Sequence, residues 1–145
     1  QHLHIGIDLY QAGIARVLRQ IVQRGDKNCY IICADASDAI AEWPAKSIDR
    51  INIHHPDPWP KKRHHKRRIV NERFLRQIFK ILKTNGKVFF STDNCDYFKN
   101  VKTILQKFTK IKIKKVKKII TIKTKYYLKA ERKGNKINSL MFSYN

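Results

Sequence analysis

Four short apolar segments, each about as long as a β-strand, are separated by stretches long enough to form helices. The segments occupy residues 3–8, 29–34, 48–55 and 87–91. Strands that alternate with helices are typical of a mostly parallel α/β sheet, in which each helix returns the chain to the same end of the sheet. The sequence therefore predicts the α/β class, with parallel strands over this part of the chain.

An acidic residue follows or ends each of these segments, and the four acids are Asp8, Asp35, Asp57 and Asp93. Ligands of parallel sheets bind outside the carboxyl ends of the strands. Aspartate is also common in ordinary turns, which would explain any single one of these positions. Four acids in succession favour a shared site at one edge of the sheet.

The spacing of apolar residues predicts the helices between these strands. Positions 14, 17, 18, 21 and 22 form the stripe of an amphipathic helix that Gly25 ends. Shorter helices are predicted over residues 37–43 and 97–108. Asn71 is predicted to cap a further helix, with apolar residues at 74, 75, 78, 79 and 82, which ends at Asn85-Gly86.

The last part of the chain predicts strands of a different kind. Ile or Val alternates with Lys over residues 111–122, as in a strand with one solvated face. Residues 126–133 and 137–144 flank Gly134-Asn135, and we expect them to form a hairpin. The complete prediction is a mostly parallel sheet with a C-terminal antiparallel hairpin.

Positive charge is concentrated in the second half of the chain. The 145 residues carry a net charge of +21, of which residues 1–60 contribute −1 and residues 61–145 contribute +22. This asymmetry predicts a polyanionic partner, although a lysine-rich genome would also explain the more scattered lysines.

Three cysteines are too few for a disulfide scaffold, and no apolar run reaches the ~18 residues of a membrane span. We therefore expect a cytoplasmic protein.

Residues 56–68, with the sequence PDPWPKKRHHKRR, form the most specific pattern in the chain. Prolines on both sides of Asp57 restrict the backbone, so the carboxylate is held in place. Six Lys or Arg residues follow within eight positions, and their side chains suit phosphate oxygens. Trp59 is suited to stacking on a base. The basic run alone would also fit a solvated loop or a localisation signal, but the adjoining fixed acid favours an RNA-facing site.

From residue 54 to residue 70 the sequence resembles the signature of the tRNA (guanine-N7)-methyltransferases, a family of class I S-adenosylmethionine-dependent enzymes. Further family motifs are resembled in the right order by IGID at 5–8, DA at 35–36, STD at 91–93, TKY at 124–126 and ERKG at 131–134, followed by Leu140. The resemblance implies a Rossmann-like fold and S-adenosyl-L-methionine as cofactor. It also implies tRNA as partner and methyl transfer to N7 of a guanosine in the variable loop.

The resemblance assigns roles to individual residues. Asp8, Asp35 and Asp57 would bind the cofactor, and Asp57 would also be catalytic. The substrate- and RNA-binding residues would be Lys61, Arg63, His64, His65, Lys66, Arg67, Arg68, Asp93, Thr124, Lys125, Tyr126 and Tyr127. The chain departs from the usual family pattern at His54 and His55, where aromatic residues are usual, and at Tyr127, where an acid is usual.

The glycines limit which part of such an enzyme this chain can contain. No two of the five glycines are closer than seven positions, so no Gly-rich cofactor loop fits within the chain. In the resembled fold, that loop and the first strand would precede Gln1. The sequence therefore predicts a single methyltransferase domain over residues 1–145 that lacks its first strand.

Two other functions fit parts of the pattern. A non-catalytic RNA-binding remnant would keep the basic surface without the cofactor loop. A methyltransferase of protein glutamine or of adenine would use a related turn at the same strand end, but the basic run argues against a protein substrate. We expect no metal site, because His64 and His65 are adjacent and lack a Cys or an acid at ligand spacing.

Overall fold

A computed structural model describes residues 2–116 and 124–144, and it divides the chain into two compact units, Gln1–Trp43 and Pro44–Asn145. The described part of the first unit contains β1 (His4–Asp8), α1 (Gln11–Arg24), β2 (Cys29–Cys33) and the short α2 (Ala36–Ala39). β1 and β2 are parallel, with Asp8 opposite Cys33 at their carboxyl ends. The predicted strand–helix–strand order is confirmed in this unit.

The ends of the two helices in this unit follow from local chemistry. Gly25 adopts a left-handed backbone (φ 67°) after α1, and its conformation is one that residues with a side chain rarely take. α2 begins where Asp35 accepts a hydrogen bond from the backbone N–H of Ser37 at 2.7 Å. The helix predicted over residues 37–43 is shorter than expected and ends at Ala39.

The described part of the second unit contains one mixed sheet and the helices that follow its strands. Its elements are β3 (Ile48–His54), a 3-10 helix (Lys62–Arg67), α3 (Glu72–Ile81), β4 (Leu82–Thr92), α4 (Cys95–Leu105), β5 (Ile111–Lys115), α5 (Lys125–Arg132) and β6 (Asn138–Tyr144). The strand order is β3-β4-β6-β5. β3 and β4 are parallel, whereas β6 is antiparallel to both β4 and β5.

The helix α3 confirms the predicted cap and the predicted buried face. The side chain of Asn71 accepts a hydrogen bond from the backbone N–H of Phe74 at 3.0 Å. The apolar stripe is buried, and so is Leu82 just beyond the helix. The predicted end at Asn85-Gly86 is wrong, because the helix ends at Ile81. The carbonyl of Ile81 accepts the backbone N–H of Ser47 at 2.8 Å, so the chain already pairs in the manner of a strand there.

The C-terminal antiparallel strands are confirmed, but one arm of the predicted hairpin is wrong. Residues 126–133 are not a strand, because Lys125–Arg132 forms α5, and β6 pairs instead with β5. Thr124 caps α5 by accepting the backbone N–H of Tyr127 at 3.2 Å. The Leu, Lys, Ala, Glu and Arg residues that follow are good helix formers. The strand predicted over 111–122 is present from Ile111 to Lys115, and residues 117–123 lie outside the described part of the chain.

The core of the second unit forms where α3 and α4 pack on the sheet. Fully buried side chains include Leu75, Ile78, Val88, Phe90, Tyr97, Val101, Leu105, Leu140 and Phe142. Asn94 caps α4 by accepting the backbone N–H of Tyr97 at 2.8 Å, and the helix begins at Cys95, two residues before the predicted start. The Tyr97 hydroxyl in turn accepts the buried backbone N–H of Val70 at 3.0 Å. Burial raises the pKa of Tyr97 to about 12, so this phenol stays protonated at physiological pH.

We expect Tyr97→Phe to destabilise the protein by about 1–3 kcal/mol, because the buried N–H of Val70 loses its acceptor while the ring is kept. Urea unfolding with a matched exposed control, Tyr126→Phe, measures this difference. The control change should stay within about 0.5 kcal/mol. Equal stability of the two variants would contradict the role given to the Tyr97 hydroxyl.

Candidate active site and nucleic-acid interface

Asp57 is exposed in a rigid turn that directly follows β3. Pro56 and Pro58 flank it, and two residues of the turn, His55 (φ 49°) and Trp59 (φ 42°), adopt a left-handed backbone. Such conformations cost a non-glycine residue about 1–3 kcal/mol and persist where the surroundings enforce them, most often at functional sites. The turn therefore presents a carboxylate to solvent on a backbone with little freedom to move.

The basic loop, which we define as residues 61–68, follows this turn and presents most of its charges to solvent. The exposed side chains are Lys61, Lys62, Arg63, Lys66 and Arg67, whereas His64 and His65 are half-buried. The guanidinium of Arg67 lies 4.9 Å from the centroid of the Trp59 ring, and His64 meets the same ring edge-on at 5.8 Å. Trp59 is therefore packed against the loop that it precedes.

Arg68 is predicted to bind RNA, but the structure places it inside the protein, with its side chain 2% exposed. Its Nε donates to the carbonyl of Pro58 at 2.8 Å, and its Nη2 donates to Asp96 at 2.6 Å and to His65 Nε2 at 3.0 Å. The guanidinium also lies 4.8 Å from the centroid of the Tyr97 ring. A buried guanidinium with these partners is unavailable to a phosphate. Arg68 instead fixes the basic loop to the turn and to α4.

Asp93 stands at the end of β4 beside the end of β3, because the two strands are parallel and His54 is paired with Ser91. One Asp93 oxygen lies 3.8 Å from His55 Nδ1, and the other accepts a hydrogen bond from Asn135 at 2.9 Å. His54 Nδ1 lies 2.9 Å from the Ser91 hydroxyl. The ends of β3 and β4 thus bring Asp93 together with a pair of histidines.

The segment 124–127 reaches the same sheet edge. The His55 ring meets the Tyr127 ring edge-on, with centroids 6.3 Å apart. Thr124, Lys125 and Tyr126 are exposed at the start of α5, and Tyr127 is half-buried. The structure therefore brings Tyr127 and Asp93 together around His55, although these residues are far apart in the sequence.

Both histidines have lowered pKa values. Burial is the main cause for His54, and the charges of His55 and Arg50 add to it. Burial also lowers the pKa of His55, and the neighbouring Asp93 carboxylate opposes this effect only in part. Both imidazoles are therefore neutral at physiological pH.

Asp8 and Asp35 lie in the first unit, at the carboxyl ends of the parallel strands β1 and β2. Asp8 accepts the backbone N–H of Tyr10 at 2.9 Å, and Asp35 accepts that of Ser37 at 2.7 Å. Both residues are exposed. Each carboxylate thus has one oxygen fixed by the backbone, an arrangement that suits a ligand with hydroxyl groups.

Sequence reasoning missed Asp96 and Asn135 as supports of this site. Asp96 is an ordinary first-turn acid of α4 in the sequence, and only the fold brings it to Arg68. The sequence predicts a turn at Asn135, and this residue does lie just after α5, but its side chain also donates a hydrogen bond to Asp93. Neither role leaves a local signal in the sequence.

Two features are absent from residues 2–116 and 124–144. No helix in this part of the chain is long and apolar enough to cross a membrane. No group of three or more His, Cys, Asp or Glu side chains in the same residues is arranged to hold a metal ion.

Comparison with solved structures identifies the fold. The chain resembles a precorrin-6y C5,15-methyltransferase from Geobacter metallireducens with a TM-score of 0.66 at 10% identity, covering 97% of this chain and 66% of that one. An rRNA methylase from Streptococcus thermophilus gives 0.63 at 9% identity, covering 97% and 72%. The fold is therefore that of the Rossmann-like methyltransferases, as the sequence predicted.

Sequence comparison identifies the family. Residues 1–140 match the family described as "Putative methyltransferase", and the chain belongs to that family. A protein from Wolbachia pipientis wMel is 40% identical over 95 residues, covering 66% of this chain and 43% of the relative. One from Actinobacillus pleuropneumoniae is 35% identical over 111 residues, covering 74% and 43%. Both relatives are named tRNA (guanine-N(7)-)-methyltransferase, so the resemblance seen in the sequence is confirmed. The matched region spans less than half of each relative's length.

The pair formed by Arg68 and Asp96 predicts how stability depends on pH. The hydrogen bond from Arg68 keeps the pKa of Asp96 below its usual value. The pair therefore stabilises the fold above the ordinary aspartate pKa of about 4, and this contribution is lost as pH falls through the lowered value. We expect Asp96→Asn to cost about 1 kcal/mol at pH 7, a low value because Asp96 is largely exposed, and less at pH 3.

The matched control is Asp49→Asn. Asp49 is as exposed as Asp96, at 66%, but its partner Lys83 is itself 45% exposed, whereas Arg68 is buried. We expect thermal unfolding to show a change within about 0.5 kcal/mol for this control at both pH values. A cost of Asp96→Asn that is no larger than that of the control would contradict the anchoring role of Arg68.

Proposed function

We propose that the protein carrying this chain transfers a methyl group from S-adenosyl-L-methionine to N7 of a guanosine in the variable loop of tRNA. The observation that carries this proposal is an exposed Asp57 on a rigid turn beside a loop that exposes five Lys and Arg side chains. The names of the relatives favour an enzyme over a non-catalytic RNA-binding protein. A tRNA substrate implies a cytoplasmic reaction.

The proposed methyl transfer does not require a general base. N7 of guanine carries an unprotonated lone pair, so no proton has to be removed to create the nucleophile. Catalysis then depends mainly on positioning and on exclusion of water. The methylated guanine is a cation, and a fixed carboxylate nearby stabilises the charge that develops. Asp57 supplies such a carboxylate, and the same group is suited to accept hydrogen bonds from guanine N1–H and N2–H.

Asp8 and Asp35 are the residues that we propose to hold the nucleoside part of the cofactor. A carboxylate accepts hydrogen bonds from hydroxyl groups, and the two acids end neighbouring parallel strands at the edge where such sheets bind ligands. Their fixed and exposed carboxylates fit a ribose. When bound, S-adenosylmethionine would supply an electrophilic methyl group on a sulfonium.

The basic loop is the proposed contact with the tRNA backbone. Its exposed side chains bind phosphate without regard to sequence, whereas Trp59 offers a ring face to a base or to Arg67. His64, His65, Asp93 and the segment 124–127 are proposed to contact the substrate near the reacting guanine. Arg68 supports this surface from within.

We expect Asp57→Asn to lower the rate of 7-methylguanosine formation about tenfold to a thousandfold, as happens when one fixed electrostatic contact is lost. The assay uses the protein expressed from its complete coding frame, with S-adenosylmethionine and tRNA, and nucleosides are analysed by mass spectrometry. Asp26→Asn, at another exposed aspartate, is the matched control and should keep the wild-type rate. Wild-type rates in both variants would show that Asp57 is only a turn residue.

A second prediction tests the basic loop. Replacing Lys61, Lys66 and Arg67 by Ala should weaken binding of all tRNAs alike and reduce the slope of log K against log salt by about 2–3, since each phosphate contact contributes about 0.7–0.9. The control replaces Lys99, Lys102 and Lys110, three exposed lysines outside the loop, and so removes the same charge. If filter binding shows equal losses for the two triple variants, net charge rather than the basic loop anchors the RNA.

A further inference from the structure

His55 contacts three parts of the second unit that are far apart in the sequence. Its backbone N–H donates to the carbonyl of Ser91 at 2.8 Å. Its Nδ1 faces Asp93 at 3.8 Å, and its ring meets that of Tyr127 edge-on. The side chain is only 5% exposed. His55 and Tyr127 are also two of the positions at which the chain departs from the family pattern, and the fold places them in contact.

The surroundings of His55 define which form of the imidazole is present. Nε2 is buried and has no hydrogen-bond partner among the described residues. A protonated ring would place an N–H donor in this position without an acceptor, which is costly in a buried site. A neutral ring with its proton on Nδ1 instead directs its one donor at the Asp93 carboxylate. The lowered pKa of His55 agrees with this form.

The contacts of His55 and Asp93 reach both ends of α5. Tyr127, against the His55 ring, is in the first turn of the helix. Asn135 lies just after the helix, where its backbone N–H donates to the carbonyl of Ala130 at 3.0 Å and its side chain donates to Asp93 at 2.9 Å. The end of α5 is therefore attached to the same carboxylate that faces His55.

We propose that His55 is a positioning residue: its Nδ1–H orients Asp93, and together the two side chains clamp both ends of α5 against the ends of β3 and β4. The clamp fixes the exposed segment 124–126 at the sheet edge from which the Asp57 turn projects. The role of that segment toward tRNA rests on the function proposed above, whereas the clamp itself does not.

Hydrogen exchange tests the clamp without any assay of activity. The reporter is the amide of Leu128, which donates to the carbonyl of Thr124 at 3.0 Å in the first turn of α5. His55→Phe keeps an aromatic ring but removes the donor, and we expect it to speed exchange at Leu128 about fivefold to tenfold, as for the loss of one polar contact. The amide of Phe90 in β4 should not change.

The partner of His55 gives the second arm of the test. Asp93→Asn replaces one of the two carboxylate oxygens by an NH₂ group. Only one of the two donors that face this side chain, from His55 and from Asn135, then keeps an acceptor. Asp93→Asn should therefore speed exchange at Leu128 as His55→Phe does, and the double variant should exceed neither by much. This variant also leaves the strained backbone of His55 unchanged, so it carries the test if His55→Phe does not fold. Unchanged exchange in the single variants, or fully additive effects, would overturn the proposal.

Rescue and control variants separate the polar contact between Nδ1 and Asp93 from simple packing. Asn tolerates the left-handed backbone of position 55 and places an amide N–H near the position of Nδ1. His55→Asn should therefore loosen α5 less than His55→Phe, and an equal or larger effect would overturn the role given to Nδ1. The same His→Phe change at the exposed His4 should leave exchange at Leu128 unchanged.

The activity arm distinguishes the two proposals. In a protein that methylates tRNA, His55→Phe should lower kcat/KM about tenfold, and His55→Asn should restore part of it. If the wild-type protein forms no 7-methylguanosine while the exchange results hold, the proposed function fails and the clamp stands. If methylation occurs but exchange at Leu128 is unchanged in both His55→Phe and Asp93→Asn, the clamp fails and the function stands.

Discussion

The buried guanidinium of Arg68 is the interaction on which the candidate site depends. It joins the carbonyl of Pro58, the ring of His65 and the carboxylate of Asp96, so the turn, the basic loop and α4 share one centre. Burying the guanidinium charge of Arg68 away from water costs free energy. The carboxylate of Asp96 and the further hydrogen bonds of the guanidinium offset that cost. This centre ties the basic loop, whose residues 62–67 form a 3-10 helix, to the turn and to α4.

The six Lys and Arg side chains of the basic loop thus have two different roles. Five of them are exposed to water, where their charges are available to the tRNA that we propose as substrate, whereas Arg68 is buried and holds the loop in place. A second centre, built from His55 and Asp93, does for α5 what Arg68 does for the basic loop. Each centre has a buried polar side chain in its middle, Arg68 or His55, so its geometry is specified by polar contacts as well as by packing.

The backbone strain in the turn fits this arrangement. His55 and Trp59 both occupy the left-handed region, and Asp57 lies between them on a segment flanked by prolines. The strain at these two positions lowers the stability of the fold. Such a loss is tolerated where a carboxylate must be held in place, because a site that is already ordered when the substrate arrives avoids the entropic cost of ordering it then. The contacts of His55 and Arg68 on either side of the turn keep this conformation.

The sequence by itself determined the elements with strong local signals. The Asn71 cap, the buried stripe of α3, the parallel order of strands and helices, and the family motif were all readable, because periodicity, caps and prolines act over a few residues. It misread residues 126–133 as a strand, since alternation there competed with a Thr124 cap. Only the tertiary structure decided that Arg68 is buried, that β6 pairs with β5, and that Asn135 reaches Asp93. Those outcomes depend on contacts between residues distant in the sequence, and burial, unlike charge or periodicity, is a property of the folded chain.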